Sequence, residues 1–196
     1  MTRFVGLTGG IGAGKSEALA AFERRGVAVL STDKVAHDIL DDDQVRAALV
    51  ERWGEQIAPG GAIDRDRVGE IVFADRDELT WLESVTHPRV GAHVLEWRQN
   101  LGQEVEIAVV EVPLLFEAAM EGAFDATLAV VADDGIRDAR LRERGQSGLE
   151  GREDRQLDQA EKVRRADHVI RNDASLEELD REVNELIDQL RKGGGG

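Results

Sequence analysis

The chain has 196 residues, enough for one compact globular unit with a sizeable hydrophobic core. It contains no cysteine, which excludes disulfides, thiol catalysis and cysteine-ligated metals. The formal net charge of −15 argues against a nucleic-acid partner, because a phosphate backbone binds to a basic surface. No segment resembles a membrane span and the first residues lead directly into a predicted strand, so we expect a cytoplasmic protein with no membrane contact.

The first predicted element is an apolar strand at residues 4–7, and the segment after it is rich in glycine. Residues 9–16 read Gly-Gly-Ile-Gly-Ala-Gly-Lys-Ser, which fits the pattern G-x-x-x-x-G-K-[ST] of a phosphate-binding loop. A helix predicted at residues 16–25 follows, so the motif has the strand before it and the helix after it that it requires. The pattern predicts that the chain binds a nucleotide triphosphate.

The residue types in this loop assign roles to its members. Glycines let successive backbone N–H groups point at phosphate oxygens, and the following helix directs its positive N-terminus to the same place. Lys15 is predicted to reach the β- and γ-phosphates, and the Ser16 hydroxyl is predicted to bind Mg²⁺. The loop residues predicted to contact the nucleotide are Gly9, Gly10, Ile11, Gly12, Ala13, Gly14, Lys15 and Ser16.

The rest of the chain alternates strands and helices, which is typical of a mostly parallel sheet covered by helices on both faces. The remaining strands are predicted at residues 27–30, 105–111, 126–131 and 168–170, and the remaining core helices at 113–119, 133–144, 152–165 and 175–190. We therefore predict an α/β fold, a three-layer P-loop kinase core with a five-stranded sheet.

Two segments exceed what this core needs. Residues 33–103 show helical periodicity, with breaks predicted around 59–61 and at Pro88, and a simple strand-to-helix connection takes only about two to six residues. We predict that they form a helical insert that binds a second substrate. Residues 137–159 place glycines between arginine-bearing helices and are predicted to be a mobile lid. The core segments are then residues 1–32, 104–136 and 160–192, followed by a predicted disordered tail at 193–196.

Asp33 follows the predicted second strand at its carboxyl end, where ligands bind in open α/β sheets. A carboxylate there can accept a proton from an attacking hydroxyl, the general-base role found in kinases. Asp33 is also a candidate N-cap of a helix beginning at Lys34, with Ser31 and Thr32 as competing caps, and both roles can hold at once. His37 lies four residues further along the same helical face and is either close to the acceptor or a surface side chain.

Glu111 ends the third predicted strand, at the position of a Walker B acid, and is predicted to hold Mg²⁺ directly or through water. Arg137, Arg140 and Arg144 share one predicted helix face. Arg140, Arg144 or Arg155 is predicted to neutralise charge on the transferring phosphoryl group, and spacing leaves open which of them does. For Arg137 a surface ion pair is the alternative.

At this point the residues resemble those of dephospho-CoA kinases. Residues 6–16 resemble the N-terminus of that family, in which the opening Leu-Thr-Gly-Gly-Ile is more distinctive than the general loop. The resemblance continues in order through residues 33–37, 63–65, 72–73, 86–88, 112–117, 140–141, Arg144, Arg155, Gln159 and 166–172. It implies ATP-dependent phosphorylation of the ribose 3′-hydroxyl of dephospho-coenzyme A, the last step of coenzyme A biosynthesis, with ADP as the other product. The small-molecule partners are then ATP with Mg²⁺ and dephospho-CoA, and we expect a monomer or a weak homo-oligomer.

The resemblance also implies roles for particular residues. The carboxylate matching Asp33 is the base, and the residue matching Asn172 lies near the adenine of ATP. Leu115 is either a core residue or a wall of the acceptor pocket. The residues predicted to contact the acceptor are Asp33, His37, His87, Arg89, Leu115 and Glu117.

The chain departs from the family pattern in two places. Residues 31–33 read Ser-Thr-Asp where the family often has Asp-Ala-Asp, which keeps the base and loses its companion acid. Gly91 stands where many members have arginine, and the nearby Arg89 lies two residues earlier.

Two other functions remain as alternatives. A kinase of another small acceptor, such as a nucleoside monophosphate or a sugar acid, has the same architecture. A guanine-nucleotide switch would need an Asn-Lys-x-Asp motif, which the sequence lacks. Residues 66–69 match Asp-x-x-Gly, but they follow no apolar strand.

Overall fold

The structure of the protein, a computed structural model, describes residues 2–143 and 156–193. The chain divides into two compact units, of which the first consists of Met1–Ser31 and Leu101–Gly196 and the second of Thr32–Asn100. Each unit has a hydrophobic core of its own.

Several predicted features fall on residues that the structure does not describe. Arg144 and Arg155, both predicted as lid arginines, lie outside the described residues, as do residues 194–196 of the predicted tail. The assignment of residues 33–103 as an acceptor-binding insert and of residues 137–159 as a lid stays a prediction.

The first unit is built on a parallel sheet. Its strands are β1 Arg3–Gly9, β2 Ala28–Ser31, β3 Ile107–Glu111, β4 Ala126–Val131 and β5 His168–Arg171. Their order in the sheet is β2-β3-β1-β4-β5, and every neighbouring pair is parallel. β3 and β4 are buried at every residue, as expected when neither face of a sheet is open to water. The predicted α/β fold with five strands is confirmed.

Helices connect these strands and form the second unit. They are α1 Lys15–Arg24, α2 Thr32–Ile39, α3 Asp43–Trp53, α4 Arg65–Ala74, α5 Arg76–Gln99, α6 Asp134–Glu143, α7 Gln159–Arg165 and α8 Leu176–Lys192. Among the helices of the described residues, none has both the length and the apolar character needed to cross a membrane.

The core of the first unit joins the sheet to α1 and α8. Phe22 of α1 is completely buried with Val5 of β1 and Leu128 of β4. α8 contributes an apolar face of Leu179, Val183, Leu186, Ile187 and Leu190. Because Phe22 is held in this core, the N-terminal end of α1, where the phosphate loop arrives, is fixed relative to the sheet.

The second unit consists of α2 to α5 and short 3₁₀ turns. Aspartates start three of its helices: Asp42 caps α3, Asp64 caps α4 and Asp75 caps α5, each by accepting backbone N–H groups of the first turn. Loss of such a cap costs about 1 kcal/mol. The buried core of this unit is Leu40, Val45, Leu49, Ile57, Ala58, Ile63, Val68 and Val72.

The helix predicted at residues 113–119 is wrong. The segment forms successive turns instead, in which the N–H groups of Leu115 and Ala119 donate to carbonyls three residues earlier and that of Ala118 donates four residues back. Ala119 has a φ of 52°, in the left-handed region. Mixed hydrogen-bond spacing and a left-handed residue prevent a regular helix.

The break predicted at Pro88 is also wrong, because α5 continues through it. Proline has no backbone N–H to donate to the preceding turn. Side chains on either side of Pro88 donate to backbone carbonyls of the helix. Thr86 Oγ1 donates to the Leu82 carbonyl at 2.9 Å, and Arg89 Nη1 donates to the Val85 carbonyl at 2.9 Å.

Predicted boundaries also shift, and two of the shifts have a clear cause. β3 begins at Ile107 rather than at residue 105, because the Val105 N–H donates to the Gly102 carbonyl in a turn. α7 begins at Gln159 because Asp158 caps it by accepting the Glu161 N–H. The described residues 156–158 of the predicted helix are therefore not helical.

Asp167 joins the start of β5 to β4. Its Oδ2 accepts both the backbone N–H and the hydroxyl of Thr127, each at 2.8 Å. Burial raises the pKa of Asp167, but the donors of Thr127 outweigh it and hold the pKa below the ordinary value of 3.8.

We expect Asp167→Asn to lower the free energy of unfolding by about 1 kcal/mol near neutral pH, because charged hydrogen bonds become neutral ones at a partly exposed site. A depressed carboxylate pKa contributes stability above the unfolded pKa and loses it as the pH falls through the folded pKa. The difference in free energy of unfolding between wild type and variant should therefore be constant from pH 7 to about 5 and should decrease below about pH 4. Urea unfolding at several pH values measures this difference, with the exposed Asp188→Asn as control. An unchanged difference in free energy of unfolding at about pH 3 would contradict the role given to the Asp167 carboxylate.

Candidate active site

The phosphate loop connects β1 to α1 at the carboxyl edge of the sheet. Gly12 and Gly14 have φ values of 77° and 90°, which favour glycine over other residues. Gly14 is the residue before α1, and no side chain among the described residues caps this helix. The N-terminus of α1, whose dipole attracts anions, therefore lies directly at the loop.

Lys15 curves over the start of the loop. Its Nζ donates to the Gly9 carbonyl at 3.0 Å and to the Gly10 carbonyl at 3.2 Å. A Cβ at Gly9 would collide with the backbone oxygen of Val130, so β4 packs directly against this point. The lysine ammonium thus lies at the loop that would hold a phosphate.

Two arginines of α6 bind the middle of the loop from outside. Arg137 Nε donates to the Ile11 carbonyl at 2.8 Å. Arg140 Nη1 lies 3.5 Å from the Gly12 carbonyl and 3.4 Å from the Ala13 carbonyl. In a trans peptide the carbonyl and the next N–H point in opposite directions, so these contacts turn backbone N–H groups of the loop away from α6. Such an orientation suits an anion-binding loop.

Asn172, which follows β5, supports the end of the loop. It is buried, and its Nδ2 donates to the Ala13 carbonyl at 3.0 Å. Its own N–H donates to the Val131 carbonyl, and its carbonyl accepts from Arg140 Nη2 at 3.0 Å. A Cβ at Gly14 would collide with the Asn172 amide. The side chain predicted to lie near adenine therefore also holds the loop backbone.

Glu111 lies at the end of β3, beside the residues that precede the loop. It is 4% exposed, and its register partners are Leu7 of β1 and Ser31 of β2. The next residue is tied to the same place, since the Val112 N–H donates to the Leu7 carbonyl at 2.8 Å. A carboxylate here and the Ser16 hydroxyl are both oxygen ligands of the kind that Mg²⁺ prefers.

No three His, Asp or Glu side chains within the described part of the chain lie close enough to hold a metal ion by themselves.

Asp33 is exposed in the first turn of α2. The helix begins at Thr32, directly after β2 ends at Ser31, so the alternative of Asp33 as the N-cap of a helix beginning at Lys34 is wrong. The backbone at residue 32 already has helical geometry, which places Asp33 inside the helix.

The other predicted acceptor residues of the second unit lie on α2 and α5. His37 is exposed, and its carbonyl accepts from Arg65 Nη2 at 3.2 Å. His87 is exposed, whereas Arg89 is half-buried because its guanidinium bonds to the preceding turn of α5. Their contact with an acceptor stays a prediction.

The two predicted acceptor residues of the first unit lie in the turns after β3. Leu115 is 0% exposed, which favours the alternative that it is a core residue. Glu117 Oε1 forms an ion pair with Lys162 Nζ at 2.9 Å and accepts the Leu157 N–H at 2.8 Å. The carboxylate predicted to meet the acceptor is therefore engaged inside the protein.

Sequence reasoning missed Lys162, which is completely buried on α7. Its ammonium contacts Thr8 Oγ1 and the Pro113 carbonyl in addition to Glu117. One signal was available, because arginine is the usual cation of this chain and lysine occurs at only four positions, which are Lys15, Lys34, Lys162 and Lys192. Lysine is the more compact cation and suits an enclosed site with three separate acceptors.

Comparisons with known proteins identify the family of the chain. The sequence model of the family described as dephospho-CoA kinase matches residues 3–178. The dephospho-CoA kinase of Thermosynechococcus vestitus is 37% identical over 198 residues, which cover 98% of this chain and 97% of that protein.

Solved structures give the same result. The dephospho-CoA kinase from Campylobacter jejuni has a TM-score of 0.73 and 30% identity, and the match covers 99% of this chain and 100% of that one. A shikimate kinase from Acinetobacter baumannii in complex with shikimate has a TM-score of 0.53 at 14% identity, covering 96% of this chain and 94% of that one, and shares the fold alone. The family match over most of the chain, together with near-complete coverage of relatives at 30% identity or more, shows that the chain belongs to the dephospho-CoA kinase family.

Proposed function

We propose that the protein transfers the γ-phosphoryl group of ATP to the ribose 3′-hydroxyl of dephospho-coenzyme A, which gives coenzyme A and ADP. The observation that carries this proposal is the phosphate loop of residues 9–16, whose carbonyls are bound by Lys15, Arg137 and Asn172, in a chain of this family. The loop supplies the donor site, and the family supplies the identity of the acceptor.

On the donor side, the loop N–H groups and the N-terminus of α1 bind the triphosphate of ATP. Lys15 neutralises the phosphate charge after leaving the loop carbonyls that it contacts in this structure. Ser16 and Glu111 would hold Mg²⁺, which would neutralise phosphate charge there. Of the three arginines predicted to neutralise the transferring phosphoryl group, Arg140 is the one that the structure describes, and we assign that role to it.

On the acceptor side, Asp33 accepts the proton of the 3′-hydroxyl while the 3′-oxygen bonds to the γ-phosphorus. The bond from that phosphorus to the β,γ-bridging oxygen breaks, and ADP leaves. Asp33 is two residues beyond Ser31, so chain length alone keeps the two Cα atoms within about 7 Å. Ser31 is the register partner of Glu111, which supports a base close to the phosphoryl group.

His37, His87 and Arg89 of the second unit are assigned to binding of the coenzyme substrate. For His37 and His87 this assignment rests on the family resemblance of their motifs, and for Arg89 it rests on its place two residues before Gly91, where many family members have arginine. A monomer or weak homo-oligomer in the cytoplasm stays our expectation for this enzyme.

The first test is acceptor choice, followed by ADP release in a coupled assay. We expect dephospho-CoA to support turnover at least about 10²-fold better than a nucleoside monophosphate, shikimate or gluconate, since polar contacts made to one acceptor are left unpaired with another. The product should carry its new phosphate on the ribose 3′-position. Turnover with ATP as the phosphoryl donor should be faster than turnover with GTP. Turnover with a nucleoside monophosphate and none with dephospho-CoA would overturn the proposal.

The second test concerns the base. We expect Asp33→Asn to lower kcat by about 10² to 10⁴-fold, because the hydroxyl loses its proton acceptor. Thermal stability should hardly change, since the side chain is exposed. Asp38→Asn, an exposed aspartate on the same helix, is the matched control and should keep wild-type kcat. Wild-type turnover in Asp33→Asn would exclude Asp33 as the base.

The third test separates two roles of Asn172. We expect Asn172→Ala to weaken binding of both ATP and inorganic tripolyphosphate by about 10-fold, because the Ala13 carbonyl loses its donor and the loop loses its geometry. Calorimetric titration measures both ligands, with the exposed Asn100→Ala as control. If ATP binding weakens and tripolyphosphate binding does not, the residue acts only at the adenine end.

A further inference from the structure

Lys162 is completely buried in the first unit, where its ammonium has a carboxylate and two other hydrogen-bond acceptors around it. Its Nζ is 2.9 Å from Glu117 Oε1, 3.0 Å from the Pro113 carbonyl and 3.3 Å from Thr8 Oγ1. An ammonium has three N–H donors, and these are three acceptors. Burial lowers the pKa of Lys162, and the Glu117 carboxylate opposes that shift.

A buried ion pair of this kind is a poor way to stabilise a fold. Removing two charges from water costs several kcal/mol per ion, and apolar side chains of similar volume often serve stability equally well. Glu117 Oε2 is also buried without a hydrogen-bond partner among the described residues. The pair therefore needs an explanation other than stability.

The acceptors of Lys162 occupy informative places in the chain. Thr8 immediately precedes Gly9, the first residue of the phosphate loop, and Pro113 is two residues beyond Glu111. Thr8 Oγ1 itself donates to the Pro113 carbonyl at 3.0 Å. The ammonium thus joins the carboxyl ends of β1 and β3, which carry the loop and the predicted Mg²⁺ ligand.

A second connection runs through Glu117. The oxygen that pairs with Lys162 also accepts the N–H of Leu157, in the segment that leads into α7. The turns after β3 and the approach to α7 are therefore fixed to the same ammonium. Without it, a buried carboxylate would lose its counter-charge and these segments would rearrange toward water.

We propose that Lys162 is a positioning residue for phosphoryl transfer, which fixes the end of β1 and its phosphate loop relative to the end of β3 and Glu111. This inference rests on the proposed function, in which the loop and Glu111 act on the same Mg²⁺-bound nucleotide. A displacement of about 1 Å between two such groups is enough to slow a reaction by about 10²-fold.

The decisive variant is the double substitution Lys162→Met with Glu117→Met, which removes both charges and keeps apolar volume. We expect the single Lys162→Met to lose both stability and turnover, because it leaves Glu117 buried and unpaired. The double variant should recover most of the urea midpoint that the single variant loses, short of the loss of the Leu157 N–H acceptor, while its kcat stays about 10²-fold low. Lys192→Met, at the exposed end of α8, is the control.

A binding measurement tests the same proposal without the acceptor. In wild type, a non-hydrolysable ATP analogue should bind about 10-fold more tightly with Mg²⁺ than without it, and the double variant should lose most of that gain. Because this readout needs no turnover, it remains valid if dephospho-CoA is not the acceptor. Recovery of both wild-type kcat and the Mg²⁺-dependent gain in the double variant would show that the pair is only structural.

Thr8→Val provides a second variant should the methionine pair fail to fold. It removes the hydroxyl that links the ammonium and the Pro113 carbonyl to β1 and leaves the charge pair in place. We expect kcat and the Mg²⁺-dependent gain to fall by about 10-fold, together with a lower urea midpoint, because a buried hydrogen-bonded hydroxyl is lost. Wild-type values for both would overturn the proposal.

Discussion

A phosphate loop can bind an anion only if its own carbonyl oxygens are turned away from the anion and held there. In this protein the holding groups come from outside the loop. Arg137 donates a hydrogen bond to the Ile11 carbonyl, and Asn172 donates one to the Ala13 carbonyl. Arg137 follows β4 and Asn172 follows β5, so the register of the whole sheet determines whether the loop is correctly shaped. The shape of the phosphate loop thus depends on the surrounding fold and not only on residues 9–16.

The same requirement explains part of an unusual charge distribution. The chain has 40 acidic and 25 basic residues, yet cations surround the loop. Lys15, Arg137 and Arg140 contact its carbonyls, and Lys162 lies behind its first residue. Many acids serve instead at helix N-termini, as the caps of α3, α4 and α5 illustrate, where the helix dipole favours negative charge. An acidic protein can therefore bind a polyanion, because local placement outweighs net charge at such short distances.

Local sequence patterns were sufficient for the strands, the loop and most helices, because strand burial and helix periodicity are read over neighbouring residues. The same patterns were misleading at residues 113–119, where a proline followed by apolar residues suggested a helix and tertiary contacts imposed turns. Lys162 shows the limit most clearly. Its partners Thr8 and Pro113 are 154 and 49 residues away, and no spacing rule connects them. The family resemblance predicts that Asn172 lies near the adenine of ATP, and it does not predict the bond of Asn172 to the Ala13 carbonyl.

The connection at Ser31 has a further consequence for how such a kinase combines two units. The second unit has its own core, and its first helix begins at the residue after β2. The proposed base, Asp33, lies in the first turn of that helix, and the covalent connection keeps its Cα atom within about 7 Å of that of Ser31. The proposed acceptor residues His87 and Arg89 lie on α5 and are not held by this covalent connection. If both assignments hold, proton removal and acceptor choice depend on different helices of the second unit, α2 and α5, and a substitution in one of them need not affect the other.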